Sequence, residues 1–144
     1  MSETAVDISA TYQLEVWGGN EIVARVRTWA SSTAAALGAD PQAIADFALA
    51  VSEACTNVVR YAYADQSQGR LILTARRIGE RIIFRMRDFG SKFDPADVQP
   101  PKMDGEPTVG GYGIYLMRQV MDKVRYVTDH PVGTELILVR RRSH

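Results

Sequence analysis

Apolar and polar residues alternate through Tyr12, Leu14 and Val16 in SATYQLEVWG (residues 9–18). That two-residue period predicts a strand with one buried face. The period then lengthens. Ile22, Val23, Val26, Trp29 and Ala30 recur at helical spacing, predicting a helix that Asn20 caps. GADP (residues 38–41) punctuates the chain: Gly38 ends one helix, Asp40 caps the next and Pro41 opens it. The longest helical stripe follows over residues 42–63, where Ile44, Phe47, Ala48, Val51, Cys55, Val58, Val59 and Ala62 share one side. Strand periodicity returns over 70–79 and 80–90, which meet at Gly79-Glu80 as a hairpin. A short turn over 94–98, a proline-rich loop over 99–111 and a helix over 112–121 come next. Strands over 122–129 and 133–141, joined through HPVG, complete the chain.

Hairpin-linked strands with segregated helices predict an α+β two-layer sandwich. Its sheet is expected to be mostly antiparallel and mixed, with helices on one face. Residues 1–144 read as a single domain with a core spanning about 9–141. The loop over 99–110 has no periodicity, and loops of that length inside compact domains tend to carry function.

Charge adds little to this picture. Lys plus Arg and Asp plus Glu both number 17, so nothing in the net charge points to nucleic acid or an anionic membrane. VRRRSH (residues 139–144) reads as a solvated basic tail. One cysteine, Cys55, excludes an internal disulfide and a cysteine-based metal site. The first ten residues lack the features of a secretory signal, and no apolar stretch approaches a membrane span. The expectation is a cytoplasmic protein.

Four local patterns offer chemistry, and each has a plainer structural alternative. Glu53 and Asn57 lie four residues apart, about 40° apart around a helix, on a face shared with Asp46, Ala50 and Tyr61. They supply a carboxylate for general-base work and an amide oxygen for Mg²⁺, or merely a solvated face. Asp88 ends a strand just before Gly90, which lets the carboxylate point past the strand end or cap a local turn. Gly110, Gly111 and Gly113 precede a helix, where missing side chains and free N–H groups suit a phosphate. Neither a P-loop nor a dinucleotide fingerprint is present. Thr134, at the start of the last strand, offers a hydroxyl to a ligand or to the sheet.

In this order, the patterns resemble the serine-kinase anti-sigma factors of bacteria, small members of the GHKL ATPase/kinase group with the Bergerat ATP-binding fold. SEACTNVVRYAY (52–63) is similar to the N box, and DFGSKFDP (88–95) to the first glycine box. GGYGIYLMRQVMD (110–122) is similar to the second glycine box, and GTELILV (133–139) to the last motif. The resemblance implies that Asn57 holds Mg²⁺ and Glu53 takes the proton of the acceptor hydroxyl. It implies that Asp88 accepts a hydrogen bond from the adenine amino group, aided by Thr134, with Gly90 leaving room for the ring. Gly111 and Gly113 would present N–H groups to the phosphates, and residues 99–110 would form a lid whose one cation is Lys102. Tyr61 stands where many relatives carry His, and Tyr112 where an Arg or another residue often separates the two glycines.

The activity so implied is ATP-dependent phosphorylation of an anti-sigma factor antagonist protein, with sequestration of a sigma factor by the same domain. Implied too is a homodimer, with residues 12–16 as an exposed-edge candidate and no direct contact with nucleic acid or membrane. An ATP-binding partner-switching module with little or no kinase activity is the alternative. The ATP domain of a histidine kinase fits less well, because His130 and His144 lie outside every predicted helix.

Overall fold

The computed structural model describes residues 9–63, 69–92 and 111–144, with backbone alone at 111 and 112. The elements run β1 (Tyr12–Gly18), α1 (Ile22–Ala36), α2 (Pro41–Asn57), a π-helical turn (Val58–Ala62), β2 (Gly69–Ile78) and β3 (Arg81–Asp88). After these come α3 (Gly111–Val120), β4 (Lys123–Val127) and β5 (Glu135–Arg141). The turn expected over 94–98, the loop over 99–110 and Lys102 lie outside the described residues, as does the side chain of Tyr112.

The sheet order is β1-β2-β3-β5-β4. All four pairings are antiparallel, so among the described residues the sheet is not mixed as expected. Each hairpin pairs sequence neighbours, and β5 inserts between β3 and β4, which places the end of β3 beside the start of β5. Register follows the two-residue period. Leu14, Leu73, Met86, Leu136 and Tyr126 form one inward row; Tyr12, Ala75, Phe84, Leu138 and Val124 form the next. Helices cover this inward face only.

Phe84 shows what holds the two layers together. Its ring meets Phe47 of α2 at 4.8 Å between centroids and the edge of Trp29 of α1 at 5.7 Å. Truncating a ring this buried costs about 3–5 kcal/mol. On α3 the fully covered positions are Ile114 and Met117, continued by Met121 just beyond the helix. Leu116, Val120 and Val124 are half-buried at its margin.

Local chemistry explains most element boundaries. The Asp40 carboxylate accepts the Ala43 N–H at 2.8 Å and Pro41 opens α2, both as expected. Asn20 does not cap α1. Glu21 holds the cap position instead, and its carboxylate accepts the N–H of Gly19 at 2.8 Å. The α-helix expected to run through residue 63 gives way after Asn57 to the π-helical turn. Within that turn the Tyr63 N–H reaches back five residues to the Val58 carbonyl, and the Ala62 carbonyl accepts the N–H of Ser91.

The basic run at 139–144 is not a solvated tail. Arg140 points inward from β5, is 1% exposed, and pairs with Asp46 of α2 at 2.9 Å. Arg142 continues the chain's pairing, donating its N–H to Glu80 and accepting that of Asp40.

Candidate functional site

Between the last turns of α2 and the ends of β3 and β5 lies a pocket open to solvent. Its walls are apolar: Ala54, Val58 and Ala62 from the helical layer, Met86 and Leu136 from the sheet, with Tyr126 at the side. Three polar side chains reach it, namely Asn57, Asp88 and Thr134. These come from the end of α2, the end of β3 and the residue just before β5. β-Strand parity accounts for two: Asp88 continues the inward series Ile82, Phe84, Met86, and Thr134 precedes the inward Leu136 and Leu138.

The hydrogen bonding here is incomplete in a specific way. Asp88 is 3% exposed, and its carboxylate accepts the Gly90 N–H at 3.1 Å. Burial pushes its carboxyl above the usual range, opposed by N–H groups of Gly90 and Thr134 and by the charges of Arg87 and Lys92. Asn57 and Thr134 are equally buried, yet Asn57 Nδ2 and Thr134 Oγ1 have no hydrogen-bond partner among the described residues. Buried polar groups are normally satisfied, because desolvation without a partner costs about 1–3 kcal/mol. Two such atoms in one pocket mark a place built for a ligand.

Glu53 stands one helical turn before Asn57, at the first turn of α3. A methyl group on Gly113 would lie 2.7 Å from Glu53 Oε2 and 3.7 Å from Asn57 Nδ2. A side chain there would push the Glu53 carboxylate aside, while Asn57 stays at ordinary contact distance, so α3 starts close against both side chains. The helix start brings its free N–H groups to the same spot, where partial positive charge favours an anion. Order along the site is thus Asp88 and Thr134 at one end, Asn57 in the middle, Glu53 and the start of α3 at the other. The face carrying Glu53 and Asn57 is not a solvated one: Asp46, Ala50 and Asn57 are buried and Glu53 is half-buried.

Two glycines shape the Asp88 end. Gly133 has φ +74°, and a Cβ there would fall 2.1 Å from the Asp88 carbonyl oxygen. Gly90 packs just as tightly, but against the π-helical turn: its Cβ would meet the Ala62 carbonyl at 2.2 Å. The space beside Gly90 is therefore filled by protein backbone, and the walls of the pocket are made by other residues. Tyr63 locks the same corner, donating its hydroxyl to the Arg70 carbonyl and accepting the Phe89 N–H at 2.7 Å.

The expected residues thus converge: Asn57, Asp88 and Thr134 on the pocket, with Glu53 and Gly113 beyond Asn57, Gly111 opening α3 and Gly90 bonded to Asp88. Missing from the sequence reading were Tyr126, Met86, Leu136 and Ala54 as pocket walls. Strand parity shared with the core carried that signal for the sheet residues.

Comparison with known proteins agrees with this fold. The family model described as "Histidine kinase-like ATPase domain" matches residues 17–140. A serine-protein kinase RsbW of Bacillus licheniformis is 34% identical over 123 residues, covering 81% of this chain and 77% of that protein. The serine-protein kinase RsbW of Bacillus subtilis is 32% identical over 125 residues, covering 82% and 78%. Among solved structures, one containing RsbU and RsbW domains of a Mycobacterium tuberculosis protein matches with TM-score 0.64. Its identity is 22%, and the match covers 90% of this chain and 32% of that one. The catalytic domain of the histidine kinase ThkA matches with TM-score 0.57 at 12% identity, covering 91% of this chain and 99% of that one. A five-stranded antiparallel sheet roofed by helices, a half-satisfied pocket between them and this extent of similarity together identify the chain as a member of the histidine kinase-like ATPase family, on the branch of the serine-protein kinases.

Proposed function

We propose that this chain transfers the γ-phosphoryl group of ATP to a serine or threonine hydroxyl of an anti-sigma factor antagonist protein, and that it sequesters a sigma factor when the antagonist is phosphorylated. The observation that carries the reading is the pair of buried polar atoms without partners, Asn57 Nδ2 and Thr134 Oγ1, on one pocket with the Asp88 carboxylate. A flat ring bearing an amino group suits an apolar slot that ends in a carboxylate acceptor and a hydroxyl. Asp88 and Thr134 bind and orient adenine; Gly90 contributes by holding the Asp88 carboxylate through its N–H.

From that anchor the phosphates run past Asn57 to the start of α3, where Gly111 and Gly113 present backbone to them. The Asn57 amide can turn its oxygen to the same spot, because the two ends of an amide are near-isosteric. A Mg²⁺ held there through Asn57 and the phosphates would neutralise charge on the transferring group. Glu53 receives the proton of the acceptor hydroxyl. The hydroxyl oxygen bonds to the γ-phosphorus as the bond to the β-phosphate oxygen breaks, and ADP leaves. Such proton transfer is worth about 10²–10⁴-fold in rate.

The protein is expected to act in the cytoplasm as a homodimer. The outer edge of β1 has no strand partner among the described residues and could pair with a second copy. No helix among the described residues is long and apolar enough to cross a membrane.

The test is incubation with labelled ATP, Mg²⁺ and a candidate antagonist from the same genome. Label should move to the antagonist with the wild-type chain and fall by about 10²-fold or more with Glu53→Gln, while ATP affinity stays within about twofold. ATP binding with no transfer to any such antagonist would instead make the domain a partner-switching module.

A further inference from the structure

The face of the sheet turned away from the helices has a composition unlike the rest of the molecule. Arg70 and Arg76 of β2, Arg81, Arg85 and Arg87 of β3, Lys123 and Arg125 of β4, and Arg141 of β5 all alternate onto it. Its only carboxylates among the paired positions are Glu15 and Glu135. Both are already engaged, Glu15 with Arg70 at 2.7 Å and Glu135 with Arg85 at 3.4 Å. The whole chain is charge-balanced, so this excess is segregation of charge rather than a basic composition.

The same face is not simply a hydrated basic surface. Ile83 of β3 pairs with Val139 of β5, and Ile137 lies two residues before Val139, a small apolar patch on β3 and β5; Ile72 of β2 stands apart, paired with Arg87. All four are half-buried, in keeping with the long aliphatic stems that arginines lay over apolar neighbours. At the β1 edge, Arg70 stacks between Trp17 and Phe89, at 5.8 and 5.1 Å from their ring centres, and Arg87 covers Phe89 at 4.4 Å. Trp17 is 61% exposed. Exposed tryptophan and stacked arginine are the residue types that dominate binding energy at protein interfaces.

We propose that this outer face docks an acidic amphipathic helix of a protein partner, seating its apolar ridge on the patch of Ile83, Ile137 and Val139 and its carboxylates among the arginines. A second copy of this chain would bring like charges together, which favours a different molecule as occupant. A nucleic-acid backbone would satisfy the cations but leave the isoleucines uncovered. This docking is independent of whether the pocket transfers phosphate.

The full chain can be titrated with a fluorescently labelled designed helix carrying leucines on one side and glutamates elsewhere. Binding should weaken with salt, and the triple variant Arg76→Glu, Arg81→Glu, Arg125→Glu should lose about tenfold or more in affinity. Arg25→Glu with Arg27→Glu, exposed on α1, reverses charge away from this face and should change affinity by less than about twofold. Amide shifts on binding should centre on Ile83, Ile137 and Val139. ATP affinity checks the fold of each variant, and Arg76→Gln with Arg125→Gln replaces the triple variant should it misfold. No binding overturns the proposal, as does equal binding of polyglutamate or equal loss in the α1 variant. So does tighter binding of duplex DNA or anionic vesicles through the same arginines. A dimer that the triple variant dissolves would mean that the face serves a second copy instead.

Discussion

Two buried aspartates mark opposite ends of α2, Asp46 on its second turn and Asp88 facing its last one, and they are treated differently. At the first end Asp46 is saturated by protein: Arg140 Nε donates to it at 2.9 Å, Arg140 Nη2 lies in ion-pair contact at 2.9 Å, and Gln42 donates another bond at 2.9 Å. At the other end Asp88 receives backbone N–H groups alone, with Asn57 and Thr134 beside it holding unpaired atoms. Both carboxylates cost desolvation. Only the first recovers it within the folded chain; the second is left for something that arrives. A closed polar cluster is scaffold, and an open one is a binding site.

Breaking the closed end should have the largest effect on stability. Asp46→Ala leaves Arg140 buried without its counter-ion and should cost about 3–5 kcal/mol, read as a drop in the urea midpoint. Replacing both partners at once, Asp46→Leu with Arg140→Met, should recover most of that loss. If the single and double variants lose stability equally, the pair is not the closed cluster described here.

The open end should respond in the opposite sense. Asp88→Asn swaps an acceptor for a donor, so ATP affinity should fall about 10–100-fold while stability without nucleotide holds or rises. Calorimetric titration beside thermal melts separates the two readouts; a large loss of stability would make Asp88 scaffold after all. Thr134→Val, nearly isosteric, should weaken ATP binding by about 3–10-fold and stabilise the free protein by up to about 1 kcal/mol, because it removes a hydroxyl that lacks a partner. Unchanged ATP affinity would remove Thr134 from the site.

The smallest effect is on pH dependence. Burial raises the folded-state pKa of Asp88, so in the window above the unfolded value of about 3.9 the folded chain binds more protons. Its contribution to stability is therefore greatest at acid pH, falls as pH rises through the raised value, and is level beyond it. Urea midpoints measured across that window should show a shallower fall in Asp88→Asn than in the wild type. Parallel slopes would contradict the assignment.

Much of the fold was legible because its signals are local. Asp40 and Pro41 open α2 through contacts within three residues, and both hairpins pair sequence neighbours. The π-helical turn was not legible: Val58 to Ala62 keep an apolar helical pattern, and the wider winding is favoured by what Ala62 and Tyr63 touch on Gly90 and Ser91. Arg140 was misread for a related reason. Three consecutive arginines look like a solvated end, although the parity of Leu136 and Leu138 already points the first of them inward.

Direction is what the sequence determined by itself. A pleated strand sends alternate side chains to opposite faces, and that places Asp88, Thr134 and Arg140 inside and the remaining arginines of β2, β3 and β5 outside, with Arg77 as an inward exception. Partnership is what only the tertiary structure decided. Arg140 and Asp46 are 94 residues apart in sequence, and no local rule says that they meet while Asn57 and Thr134 do not. Strand order puts β5 between β3 and β4, which carries Arg140 under the start of α2 and leaves Asp88 and Thr134 facing an open slot at its end. A side chain's facing depends on its own backbone, whereas its satisfaction depends on distances that exist only after the layers have packed.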